Sequence, residues 1–236
     1  MSRNLVLAAA TGGVLYGARR YYRNWGTTKE ECQIRLPGDE LVHQPAMRTT
    51  EGVTIDAPAG AVWPWLLQIG QDRGGLYSYA PFERLVGLDY RNAEEIHPEW
   101  QTLAPGDLVR LAPRGWLGRT HGMALAVEHV IGDESRALVL RGTPPQFPWR
   151  TVMSFHVLPR LEDQCRLLVR TRTEPRRPGE ALLVELAGPV MALLTRGMLL
   201  GIKERAERSQ EGVNSTSGSA PKTNRRPDTL TGTMRT

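Results

Sequence analysis

Residues 53–79 read VTIDAPAGAVWPWLLQIGQDRGGLYSY, and no other stretch limits the fold as tightly. Val53-Thr54-Ile55 is β-branched and predicts a strand. Asp56 stands where a helix N-cap belongs, with Pro58 in the first turn. A carboxylate accepts there from free backbone N–H groups, and proline has no N–H to leave unpaired. From Pro58 to Ile69, the residues Val62, Trp65, Leu66 and Ile69 recur at helical spacing and form one apolar stripe. Pro64 lies inside that run, so its first turn is expected to be separate or kinked. Gly70 to Gly75 ends the helix in a glycine-rich turn. A strand, a helix and an aromatic turn therefore follow one another with no spacer. This names a fold better than it names an activity.

The chain has 236 residues, 40% apolar and 23% charged. That is enough for a sizeable core without disulfide staples. The net charge of +5 is concentrated at the ends. Residues 1–25 carry Arg3, Arg19, Arg20 and Arg23 and no acid, and residues 208–236 are also basic, so the middle is slightly acidic. A nucleic-acid-binding core would need a basic face on the folded part, so nucleic acid is not an expected partner. Basic ends suit an anionic membrane surface or acidic partners. Cys32 and Cys165 lie far apart and are expected to be free thiols. The five histidines show no ligand spacing, so neither a metal nor another cofactor is expected.

Four segments follow from the pattern. Residues 1–25 contain the apolar run Leu5–Ala18, flanked by arginines, which is short of the ~20 residues that span a bilayer. Three readings stay open for it: a membrane anchor, a plain helix, or a cleaved signal. A spanning anchor would put the domain on the cytoplasmic side, because the heavier charge follows it. Gly13 and Gly17 have a helix-pairing spacing, a weak signal by itself. Residues 26–47 read as a linker arm, with Thr28 and Glu31 spaced as a capping box. Residues 48–207 are the folded domain. From Ser209 the chain is polar and reads as a disordered basic tail over 208–236.

Within the domain, short helices are expected at Pro81–Val86 and at Ala93–Ile96, the latter capped by Asn92. Strands are expected at Leu108–Leu111, Ala124–Val130, Ala137–Arg141, Thr151–Leu158 and Arg166–Arg172. Short strands this close in sequence form an antiparallel meander. Alternation puts Met153, Phe155 and Val157 on its dry face. His156 and the strand arginines go to the wet one. Residues 179–208 form one long helix, expected to kink at Gly188-Pro189, with Gly197 and Gly201 leaving room for close contact. The class is therefore α+β, with the long helix covering the sheet and leaving an apolar cavity between them.

This order, with VTIDAPAGAVWPWLLQIGQDRGGLYSY, PGDLVRLAP, RALVLRG and MLLGIKERAE, resembles the START-like, or polyketide cyclase (SRPBCC), superfamily over residues 48–207. The turn GQDRGGLYSY is similar to that of a bacterial subgroup of unassigned function with an apolar N-terminus. The resemblance implies a helix-grip fold, with a curved antiparallel sheet wrapped around the C-terminal helix. It also implies a cavity for a hydrophobic ligand, but no single reaction.

Candidate ligand-binding residues are Trp65, Asp72, Arg73, Tyr77, Tyr79, Phe82, Phe155 and Met198. The aromatics and Met198 would line an apolar cavity, and Asp72 and Arg73 would meet a polar head group. Each also has a structural reading. Aromatics are more often core, and Asp72 with Arg73 more often form a salt bridge beside a tight turn. No catalytic set is identifiable, since His121, His129 and His156 lack a recognisable nucleophile. The leading expectation is binding of a hydrophobic or amphipathic, lipid-like small molecule. The protein would be cytoplasmic, or membrane-associated through Leu5–Ala18. The alternatives are a cyclase- or hydrolase-type enzyme using the same cavity, and a ligand-free interaction protein.

Overall fold

Alternating residues from Met47 to Glu174 build a six-stranded antiparallel sheet in the computed structural model of the protein. The structure describes residues 13, 16–79, 81, 84, 87–88, 91–132 and 135–217. The strands are β1 (Met47–Ile55), β2 (Leu108–Ala112), β3 (Met123–Ile131), β4 (Arg136–Gly142), β5 (Arg150–Leu161) and β6 (Gln164–Glu174). Their order is β1-β6-β5-β4-β3-β2. Strands β2 to β6 form the expected meander. The first strand closes on the last, with Met47 opposite Thr173 and Ile55 opposite Cys165. Val53–Ile55 is thus the end of a nine-residue strand.

Among the described residues, residues 16–23 are helical, and the helices that follow include the short α1 (Lys29–Gln33), α2 (Ala59–Leu67) and α3 (Pro178–Ser217). Helix α3 carries Leu199, Ile202 and Ala206 into one apolar cluster with Ile55, Val62, Trp65, Leu66, Phe155 and Leu167. Burying a large apolar side chain contributes about 1.5–3 kcal/mol, so this layer holds helix and sheet together. The architecture is the helix-grip fold. Helix α3 runs on through residues 209–217, part of the expected disordered tail. Residues 218–236 lie outside the described residues.

Three local expectations are corrected. Asp56 does not cap α2, whose N-cap is Pro58 with no side-chain bond. The Asp56 carboxylate instead accepts from Gln164 Nε2 at 2.8 Å and lies 3.7 Å from Lys203 Nζ. Residues 93–96 form no helix. Asn92 has another use, its Oδ1 accepting from the Tyr77 backbone N–H at 2.8 Å. Most of the helix expected at Pro81–Val86 lies outside the described residues.

The outer face of the sheet is not wet. Residues 26–47 lie across it, beginning with α1, where Thr28 and Glu31 form a full capping box. Glu31 pairs with Arg166 at 2.8 Å, and Asp39 pairs with Arg170 at 2.7 Å and Arg172 at 3.3 Å. Arg170 is 1% exposed and also donates to the carbonyls of Ile34 and Glu31. Every donor used there meets a carboxylate, a hydroxyl or a carbonyl, which is what lets an arginine be buried. His156 is also buried, 2.9 Å from Ser154 Oγ. Burial, and then the nearby Arg170, push its pKa down to about 4.

Candidate functional site

The sequence candidates separate into two groups. Trp65, Tyr77, Phe155 and Met198 are buried in the main apolar cluster. Trp65 and Tyr77 meet edge to face with centroids 5.8 Å apart, a favourable aromatic arrangement. Asp72 and Arg73 go elsewhere and do not pair with each other. Asp72 lies 3.5 Å from Arg110, and Arg73 donates to the Trp100 carbonyl. Tyr79 is half exposed, and Phe82 lies outside the described residues.

The turn holding these residues is locked onto α3. Gly70 and Gly75 form a bridge, and Tyr77 follows at φ 57°, a left-handed conformation that costs a tyrosine energy. A β-carbon on Gly201 would stand 1.9 Å from the Tyr77 carbonyl oxygen, and one on Gly197 2.8 Å from the Tyr79 ring. The glycines of α3 admit this turn. Arg205 lies 5.2 Å from the Tyr77 ring centroid, a cation–π contact. Burial raises the Tyr77 hydroxyl to about 12, so it stays protonated. Trp65 Nε1, Gln71 Oε1 and Tyr77 OH are buried in this region without hydrogen-bond partners.

A more open arrangement lies along the seam between β1 and the first half of α3. Alternation on β1 puts Met47, Thr49, Glu51, Val53 and Ile55 on the face toward α3. At one end of the seam a cavity of about 410 Å³ is lined by Arg19, Ala46, Met47, Ala181, Val184 and Glu185. Helical residues 16–23 border it on one side through Arg19. Their Arg19 pairs with Glu185 at 2.7 Å, Tyr22 donates to the same carboxylate at 3.2 Å, and Arg23 adds a third contact. Burial works against Glu185, but these partners hold its pKa below the usual carboxylate range.

Further along the seam the polar groups are not satisfied. Glu51 is 2% exposed, and its Oε2 has no hydrogen-bond partner. Burial pushes its pKa up to about 9, against the pull of Arg196 on α3, so the carboxyl is protonated at neutral pH. Arg196 lies over Trp25 at 4.4 Å. The Nε atoms of Arg23 and Arg196 are buried without partners as well. Buried orphans of this kind call for an explanation, because each costs ~1–3 kcal/mol of desolvation. Sequence reasoning missed Glu51 because it began the strand at Val53. Started at Met47, the alternation shows one acid on an apolar face.

The fold has parallels among solved structures at low similarity. A hypothetical protein from Helicobacter pylori matches at TM-score 0.46 and 14% identity, over 76% of this chain and 99% of that one. Norcoclaurine synthase from Thalictrum flavum matches at TM-score 0.36 and 14% identity, over 70% and 96%. The di-domain ARO/CYC BexL from the BE-7585A biosynthetic pathway matches at TM-score 0.37 and 11% identity, over 68% and 46%. At such scores the helix-grip assignment stands on this chain's own strand order and C-terminal helix. No protein-family model and no curated protein matches the chain.

Among the described residues, one helical stretch, Gly179–Gly212, is long and apolar enough to cross a membrane, by length and composition only. It lies within α3 and serves as the core helix. Leu5–Ala18 lies mostly outside the described residues.

Proposed function

We propose that the protein binds an amphipathic small molecule in the seam between β1 and α3, with Leu5–Ala18 attaching it to a membrane. The observation that carries this reading is the cavity of about 410 Å³ with its mixed lining. That volume lies within the ~300–1,000 Å³ range of small-molecule sites. Ala46, Met47, Ala181 and Val184 offer an apolar wall, and Arg19 with Glu185 offers a charged rim. Glu51, protonated and unpartnered, offers a donor deeper in the seam. Trp65, Tyr77, Phe155 and Met198 lie in the apolar core rather than on the lining of this cavity. No pair of titratable groups is left free in the cavity for acid–base chemistry, since Arg19 and Glu185 neutralise each other.

The test uses full-length protein and a fluorescent fatty-acid probe. Met47→Trp, which fills the cavity, should weaken probe binding by about tenfold or more and leave the melting temperature nearly unchanged. Native mass spectrometry should show a co-purified amphiphile that this variant lacks. If neither the probe nor a co-purified molecule is found on the wild-type protein, the reading fails.

A further inference from the structure

Helix α3 is apolar on two opposite sides along its first half. One side, Val184, Gly188, Ala192 and Thr195, is buried. The other, at helical spacing, is Leu182, Leu186, Val190 and Leu193, and it is open to solvent. Leu182 is 63% and Leu186 67% exposed, with Leu183 and Met191 exposed beside them. A soluble helix shows one apolar stripe, and a helix that is apolar all round is either buried or in lipid. Monomeric soluble proteins rarely leave so continuous a patch uncovered.

Three observations say what covers it. First, the patch is flanked by cations. Arg176 and Arg177 are exposed just before α3, and Arg20 is exposed on the neighbouring helical residues, where Arg19 is already paired with Glu185. Second, Tyr16 and Tyr21 stand 64% and 66% exposed on those same residues, an amphipathic ring pair of the kind found at a bilayer boundary. Third, residues 16–23 are tied to α3. Glu185 holds Arg19, Tyr22 and Arg23, and Tyr22 packs on Gly188. Residues 16–23 therefore lie against the same half of α3 that carries the exposed leucines. Leucines, tyrosines and arginines in this order match hydrocarbon, interface and anionic head group.

We infer that the Leu182–Leu193 face of α3 lies in the surface of an anionic bilayer and turns the mouth of the β1–α3 seam toward the lipid. Its purpose rests on the ligand reading: an amphiphile would pass between bilayer and seam without crossing water. The lipid contact itself does not need that reading.

An environment-sensitive fluorophore at Leu186→Cys, in a full-length Cys32→Ser background, tests the contact. On phosphatidylcholine vesicles containing phosphatidylglycerol, its emission should move to shorter wavelength and become protected from an aqueous quencher. The same label at Leu161→Cys, exposed at the far β5–β6 hairpin, should not respond. Leu182→Glu with Leu186→Glu should lower partition onto these vesicles by about tenfold, while circular dichroism stays unchanged. The inference falls if the wild-type chain does not bind the vesicles, or if it binds and the label at 186 stays in water. It also falls if that label responds to protein concentration without vesicles, which would make the cover a second copy. Probe binding by the seam is measured without vesicles, so the two readings can fail separately.

Discussion

The two faces of the sheet handle buried charge in opposite ways. On the outer face, Arg166, Arg170 and Arg172 are covered by the 26–47 arm, and their guanidinium groups meet Glu31, Asp39 and backbone carbonyls. On the inner face, Glu51, Arg23 and Arg196 sit in the β1–α3 seam with polar atoms that meet nothing. Both sets are close to the same strand, since Thr50 bonds Arg170 on one side and Glu51 faces α3 on the other. A fully paired buried network specifies structure. A half-paired one in the same protein marks where something else is accommodated.

Breaking the closed face should have the largest effect. Asp39→Ala leaves Arg170 and Arg172 without their carboxylate, and removing one partner of a buried pair costs roughly 3–5 kcal/mol. Urea denaturation should show that loss at neutral pH. The seam should respond in the other direction. Glu51 has a folded pKa near 9, above its ordinary value of 4.5, so the unfolded chain gives up the proton first as pH rises. Its burial therefore costs more stability as pH climbs from about 5 to 9. Glu51→Gln removes that slope, and at pH 9 it should be more stable than wild type, as urea denaturation at pH 5 and pH 9 would show. A wild-type protein that shows no alkaline loss relative to the variant would mean the carboxyl is satisfied after all.

His156 should give the smallest and opposite signal. Its folded pKa is about 4, below the ordinary 6.5, so the unfolded chain takes up a proton that the folded one resists. Stability on this account is full above pH 6.5 and falls as the pH drops toward 4, by on the order of 2 kcal/mol. His156→Gln should flatten that limb in acid denaturation curves. Two opposed pH slopes from two faces would sharpen the contrast, and parallel slopes would erase it.

The sheet was legible in the sequence because alternation is local. Each of the five later strands was readable from its own residues, as was the capping box of Thr28 and Glu31. The failures are cases where a distant partner decided the outcome. Asp56 looks like a cap until Gln164 and Lys203 claim its carboxylate. Asn92 looks like a cap until the Tyr77 N–H takes its oxygen. The strand arginines look solvated until Asp39, 131 residues before Arg170, is folded over them. Of the candidates expected to line a ligand cavity, Trp65, Tyr77, Phe155 and Met198 lie in the main apolar cluster instead. The seam was not visible, because it depends on which face Glu51 takes, and that follows from where the strand begins.

The pairing of β1 with β6 has a consequence for how the chain is made. The arm and first strand emerge from the ribosome early, yet every hydrogen bond that β1 makes in the sheet is to a strand at residues 165–173. The grip of α3 comes later still. Until synthesis passes Glu174, Met47–Ile55 is an unpaired β-branched edge with a basic apolar leader attached. Assembly that waits on such distant contacts is intrinsically slow and prone to off-pathway association.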